Sequence, residues 1–278
     1  MNIQRIKDFL SETHQEIDGW FFPLDQLVFY EIFSIQNSLN IDGDVAEIGV
    51  YKGKSLVLLS LLKSESQRLL GFDLFDKDYQ EITEQNLSAF GTVENVALQK
   101  GLTSDLSRRE LDALLHTPLR FLHIDAGHEY FEVLEQLELF VPFVSDQGII
   151  AMDDYQDREF PGIEAAVLDF SERDRPRRFV PFLSGGNKMF LCCATVAASF
   201  QKIIVQQANF RDRCRLTRVK DFNILVLQSK LPVSSDEIET QITDLLFPQR
   251  PECNQSLNQR SRMYSQLEFG SGVSSSND

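Results

Sequence analysis

Apolar and polar positions along the chain change period twice. From Met1 to Leu39 the spacing is helical, with Phe29, Ile32, Phe33 and Gln36 on one stripe and Trp20, Phe21 and Phe22 just before it. Short apolar runs follow, each closed by Gly, Asp or Pro. They predict strands at Asp44–Gly49, Arg68–Phe75, Val96–Gly101, Leu119–Ala126, Gly148–Tyr155, Arg178–Leu183 and Lys188–Ala194. Helical spacing fills the gaps at Ser55–Lys63, Tyr79–Phe90, Ser107–His116, Tyr130–Phe143 and Ile163–Asp174. Strands alternating with helices predict an α/β, Rossmann-like, seven-stranded, mostly parallel sheet with helices on both faces. The short Ser184–Asn187 connection is a hairpin signal, so one edge strand should run antiparallel.

This divides the chain into a helical cap (1–40), a ligand-binding α/β domain (41–194), an appendage (195–247) and a polar, Ser/Asn/Gln-rich tail (248–278) expected to be disordered. Within the appendage, Val196–Phe210 has helical spacing and Phe222–Leu227 reads as a strand.

Charge narrows the partners. With 27 basic and 42 acidic side chains the net charge is −15, a surface that repels phosphate backbones and anionic lipid, so neither nucleic acid nor a membrane is expected. No apolar run approaches the roughly 18 residues of a bilayer span, and residues 1–15 lack a signal peptide's apolar core. Cys192, Cys193, Cys214 and Cys253 show no metal spacing and read as reduced thiols, which fits a cytoplasmic protein.

Three places carry chemistry. Glu47-Ile48-Gly49-Val50-Tyr51-Lys52-Gly53-Lys54-Ser55 leaves an apolar strand and opens a helix, where glycines let backbone approach a ligand. It is neither a Walker loop nor the dinucleotide Gly-x-Gly-x-x-Gly form. Asp73 ends the second strand twenty residues beyond Gly53, placed to take the hydroxyls of a ribose. The fourth and fifth strands end His123-Ile124-Asp125-Ala126-Gly127-His128 and Asp153-Asp154-Tyr155. Parallel strands bring those tips to one edge. Asp125, Asp153 and Asp154 should then converge and repel unless a cation lies between them, and oxygen ligands suit Mg²⁺ or another divalent ion. His128 has the pKa for a general base, whereas His14, His116 and His123 read as structural hydrogen-bonders.

These motifs resemble class I S-adenosylmethionine-dependent methyltransferases, in particular the macrocin O-methyltransferase-like subgroup, over about residues 19–193. The resemblance implies S-adenosylmethionine and Mg²⁺ as cofactors. It implies that Glu47, Gly49 and Gly53 line the cofactor's methionine end, with Tyr51 and Ser55 of the same turn and Asp125 also in contact. Asp73 would hold the ribose, and Gly101–Ser104, including Thr103 and Ser104, would lie by the adenine. Asp125, Asp153 and Asp154 match the metal ligands and His128 the base. The acceptor would be a small-molecule hydroxyl, on a sugar or other natural product, with Trp20–Pro23 and Tyr155–Gly162 shaping its pocket. Family members are commonly homo-oligomers, and residues 195–247 could pack on a neighbouring subunit. Other readings of the same residues are a catechol-type phenolic acceptor, a cofactor-binding module without turnover, and metal-dependent hydrolysis.

Overall fold

A computed structural model describes residues 2–173, 178–207, 209–210 and 213–227. Cys253 and the expected disordered tail lie outside them. Among the described residues, helices α1 (Ile3–Ser11) and α2 (Pro23–Ser38) precede the sheet. Strands β1 (Asp44–Ile48), β2 (Leu69–Asp73), β3 (Val96–Lys100), β4 (Leu119–Ile124) and β5 (Val144–Met152) then alternate with α3 (Lys54–Leu62), α4 (Tyr79–Phe90), α5 (Arg108–Leu114) and α6 (Tyr130–Phe140). Beyond β5 come α7 (Pro161–Glu172), β6 (Phe179–Gly185), β7 (Lys188–Cys193), α8 (Ala194–Ile204), β8 (Cys214–Val219) and β9 (Phe222–Leu227).

The sheet order is β3-β2-β1-β4-β5-β7-β6-β9-β8, the expected Rossmann-like α/β class. Two details differ from expectation. Nine strands pair among the described residues rather than seven, because β9 adds beside β6 in parallel and β8 pairs with β9. The hairpin-reversed strand, β7, is not an edge: it sits between β5 and β6, antiparallel to both. Hairpin chemistry fixes strand direction but cannot say on which side the returning strand docks. The expected appendage thus contributes two strands to the sheet itself.

Local sequence explains the layers. β1, β4 and β7 are buried at every position, as strands covered on both faces must be. α3 is apolar nearly all round and buried from Ser55 to Leu62, so it packs in the middle of the molecule rather than on its surface. α2 buries Phe29, Ile32, Phe33 and Gln36 as the stripe predicts, and Phe29 packs edge-on against Phe121 and His123 of β4. One apolar cluster joins α1, α2 and α3 to one face of the sheet, and a second joins α5, α6 and α7 to the other.

The order reverses between β1 and β4. In such sheets a crevice opens at that switch point, beyond the carboxyl ends of the strands. Backbone bonds hold the tips together there. Gly49 N–H donates to Phe72 O (2.8 Å), Asp125 N–H to Ile48 O (2.7 Å) and Asp153 N–H to Ile124 O (2.9 Å).

Candidate active site

A cavity of about 1020 Å³ opens over these tips. Its floor is the β1 turn. Gly49 has φ +85°, and a Cβ there would lie 1.9 Å from the Asp125 carbonyl oxygen, so only glycine lets β1 and β4 close together. Tyr51 holds a left-handed backbone (φ 52°), a strain that bulky residues rarely carry away from functional sites. Asp73 explains how the turn is held. Its Oδ2 accepts from the N–H of Val50 (2.6 Å) and Tyr51 (2.8 Å), and its Oδ1 from Phe75 N–H (2.6 Å). A carboxylate offers about four lone-pair positions, so Asp73 keeps acceptor capacity toward the cavity it lines.

Most of the sequence-predicted residues meet on this cavity: Gly49, Tyr51, Ser55, Asp73, Thr103, Ser104, Asp125, His128, Asp153 and Asp154. Gly101 also lines it, and a Cβ there would meet nothing within 4 Å. Trp20, Phe22, Asp157, Glu159 and Phe160 wall the side toward the N-terminal segment and the loop after β5, as expected. Trp20 is 79% exposed and lies 6.0 Å from the Tyr51 ring, an aromatic lip with little of its surface covered.

Two predicted residues do not line it. Gly53 instead makes the left-handed N-cap of α3, where a Cβ would press on Thr83 Cγ2 at 2.9 Å. Glu47 is fully buried. It pairs in register with His123 on β4, and His123 Nδ1 lies 2.6 Å from Glu47 Oε1. Strand alternation is the reason: two residues before Gly49, its side chain enters the α2 side of the sheet rather than the crevice.

His123 is therefore more than a solitary hydrogen-bonder. Its Nε2 lies 3.4 Å from Asp153 Oδ2, which also receives the ammonium of Lys188. Lys188 is 1% exposed, and Asp25 of α2, also wholly buried, lies within its electrostatic reach. Five ionisable side chains, Glu47, His123, Asp153, Lys188 and Asp25, thus form one buried network behind the cavity floor. Burial opposes charge on His123, but hydrogen bonds to Asp153 and Glu47 outweigh it and push the pKa up to about 9. Burial likewise opposes ionisation of Asp153, yet the Lys188 charge and the His123 contact hold it well below the usual carboxylate range. For Asp25 burial wins, and its pKa rises to about 7. Asp125 is raised well above the usual range by burial and by the neighbouring Asp153 charge. Lys188 and Asp25 escaped the sequence reading, although a lysine opening a wholly apolar strand was a usable signal.

The cavity side is arranged differently. His128 Nε2 lies 3.1 Å from Asp154 Oδ2, and Asn187 Nδ2 donates to Asp154 Oδ1 (3.1 Å). With Nε2 donating to Asp154, the neutral form of the ring keeps its lone pair on Nδ1. Phe160 stacks on the imidazole, with centroids 4.2 Å apart and planes at 26°. The hydrogen bond to Asp154 raises the His128 pKa against the partial burial that would lower it. Asp154, like Tyr51, is left-handed (φ 51°), which turns its carboxylate toward the cavity as Asp153 turns inward.

Potential metal ligands fall into two triplets, each with ligand atoms within 4.8 Å of one another: His123, Asp125 and Asp153, and Asp125, His128 and Asp154. Asp153 and Asp154 belong to different triplets, so the three aspartates expected to share one ion are divided.

Residues 46–155 match the family model of a methyltransferase domain. That domain spans β1 to the β5 tip and contains the glycine turn, Asp73, Asp125, His128, Asp153 and Asp154. A protein of Acanthamoeba polyphaga mimivirus, R132, is 29% identical over 145 residues, covering 51% of this chain and 65% of that protein. The chain thus spans just under two thirds of that relative's length. Among solved structures, cofactor-bound Rv0187 from MTB superposes with a TM-score of 0.50 at 14% identity, over 68% of this chain and 89% of that one. The O-methyltransferase from Bacillus cereus in complex with SAH gives 0.49 at 16% identity, over 68% and 90%. At 14% identity the likeness to Rv0187 is one of fold. Among the described residues no helix is long and apolar enough to cross a membrane.

Proposed function

We propose that the chain is an S-adenosylmethionine-dependent O-methyltransferase acting on a hydroxyl of a sugar or other small natural product. The observation that carries this reading is the pairing of His128 with Asp154 on the wall of a cavity whose floor is the β1 glycine turn. The methyltransferase-domain match over residues 46–155 supports the cofactor class.

The residues present fit that cofactor. The cavity slightly exceeds the usual roughly 300–1,000 Å³ of small-molecule sites, leaving room for an acceptor as well. Gly49 and Tyr51 would lie under its methionine end, Asp73 would accept from the ribose, and Thr103 and Ser104 would flank the base beside the open face of Gly101. When bound, S-adenosylmethionine supplies an electrophilic methyl carbon, whose bond pair returns to sulfur as the acceptor oxygen takes it.

The protein's task is then to ready that oxygen. His128 Nδ1 takes the hydroxyl proton, and Asp154 stabilises the imidazolium that results. Phe160 holds the ring in plane, and Asn187 holds Asp154. Trp20 and Phe22 present apolar faces at the mouth, suited to the ring of a sugar or phenol. A divalent ion shared by Asp125, Asp153 and Asp154, which the sequence implied, fits poorly: Asp153 and Asp154 fall in different ligand triplets, and Asp153 is already paired with Lys188. No step is routed through it.

The test is calorimetric titration with S-adenosylhomocysteine, followed by labelled-methyl transfer across a panel of sugar and phenolic acceptors. Saturable binding that weakens in Asp73→Ala, together with turnover on a hydroxyl, supports the reading. Absence of binding ends it, and binding without turnover on any hydroxyl would favour a cofactor-binding module.

A further inference from the structure

The buried lysine behind the site has a consequence for its chemistry. Lys188 opens β7 at the point where α2, the β5 tip and the β6–β7 hairpin meet. Its Nζ contacts Asp153 Oδ2, approaches Asn187 Oδ1 at 3.4 Å, and lies 5.5 Å from the centre of the Phe21 ring. Asp25 and Asp125 are both near enough for their charges to act on it. Residues 21 and 25 belong to the segment that closes over it, so this ammonium cannot swing out to water as a surface lysine would.

Asp153 is engaged at both oxygens in consequence. Oδ1 accepts from Asp154 N–H (2.8 Å), and Oδ2 takes Lys188 with His123 Nε2 at 3.4 Å. A divalent ion ligated by Asp153 would sit within a few ångströms of the fixed Lys188 ammonium and compete with it for the same carboxylate. The other triplet, Asp125, His128 and Asp154, is closed by the hydrogen bond between His128 Nε2 and Asp154 Oδ2, which an ion ligated there would have to displace, while Asn187 holds the second Asp154 oxygen. The mutual repulsion of strand-tip carboxylates, the reason to expect a metal, has been answered from inside the protein.

We infer that Lys188 is a built-in counter-cation that takes the place of a divalent metal in this chain, so that its methyl transfer is metal-independent. The turnover arm of the following test rests on the methyltransferase reading; the binding arm rests on the ion network alone.

Full-length protein is titrated with Mg²⁺ and with Mn²⁺ by calorimetry. No saturable binding is expected up to about 5 mM, above the roughly 10⁻⁴–10⁻³ M range of weak protein sites for hard cations. A chelator should change turnover by less than about twofold, since no metal supplies the nucleophile. Lys188→Met uncovers Asp153, and that variant is expected to gain saturable Mn²⁺ binding at least about tenfold tighter than the wild type. Saturable Mn²⁺ or Mg²⁺ binding by the wild-type chain, or turnover abolished by chelation, overturns the inference. If Lys188→Met does not fold, the wild-type titration still decides. A wild-type chain that binds neither ion and methylates no hydroxyl would count against the methyltransferase reading while leaving the counter-cation intact.

Discussion

Asp153 and Asp154 are adjacent in the chain, yet their carboxylates serve two different regions of the molecule. Asp153 is 6% exposed and turns into the network with Lys188, His123, Glu47 and Asp25. Asp154, left-handed at φ 51°, turns the other way and meets a histidine that remains 40% exposed at its side chain. Composition does not separate the regions, since each pairs carboxylates with basic side chains. Access to water does. A buried ion pair holds its elements in fixed positions out of reach of substrate, whereas a half-exposed dyad can exchange a proton with a bound acceptor during turnover. The inner network thus sets the geometry of the strand tips, and the outer pair does chemistry upon it.

The sharpest way to break this comparison is at the outer pair. His128→Ala should lower turnover by about 10²–10⁴, the usual contribution of a general base, while S-adenosylhomocysteine affinity and unfolding midpoint hardly change. Undiminished turnover would remove His128 from the mechanism. The inner network should answer in the opposite currency. Asp153→Ala leaves the Lys188 ammonium buried without its partner, and losses of about 3–5 kcal/mol in urea unfolding are typical of such a break. Asp154→Ala, which breaks a part-exposed pair, should cost no more than about 1 kcal/mol. Equal stability losses in the two variants would mean that the regions are not distinct.

This contrast also marks what could be read from the sequence. Strand tips were legible because each apolar run stops at a Gly or Asp, and the helices between them dictated parallel pairing. That placed Gly49, Asp73, Asp125, His128 and Asp154 on one edge, where the cavity lies. The inner network was not legible in the same way. Residues 25, 153 and 188 come from an N-terminal helix, a strand tip and a hairpin, and periodicity speaks only of near neighbours. A different signal was present: Glu47, His123 and Lys188 are polar members of wholly buried strands, and buried charges must find partners. Gly53 shows the converse, for a motif position that suggested a ligand serves packing against Thr83. The extra strands β8 and β9 were obscured because a weakly patterned segment gives no sign of which sheet edge it joins.

The inner network makes a prediction about acid and base. Asp25 has its folded pKa raised to about 7, so the folded state holds a proton that the unfolded chain releases near 4. Stability from that group is present at low pH and is lost as pH rises from about 4 to about 7. His123, raised to about 9, contributes stability that is full below about 6.5 and lost as pH climbs toward 9. Asp153 has the opposite sign, its contribution present above about 4 and lost in acid. Urea midpoints should therefore be higher at pH 6 than at pH 8.5, and Asp25→Asn should flatten the part of that slope below pH 7. A midpoint that rises steadily from pH 6 to 8.5 would contradict the assigned charge states.

The smallest expected effect belongs to the outer pair. A general base works when neutral, so kcat/KM should rise with pH along a limb set by His128. The hydrogen bond from Nε2 to Asp154 favours the imidazolium and holds that limb above the ordinary histidine pKa. Asp154→Asn keeps the shape of the side chain and removes its charge, so the limb should move to lower pH. Since His128 is only half-buried, water screens much of the pair's attraction and the displacement should be modest. A merely structural role for Asp154 would lower turnover at every pH and leave the limb in place. The same substitution at Asp153 should shift the unfolding midpoint and move the limb less than Asp154→Asn does, because Asp153 reaches His128 only through its charge whereas Asp154 also holds its hydrogen bond.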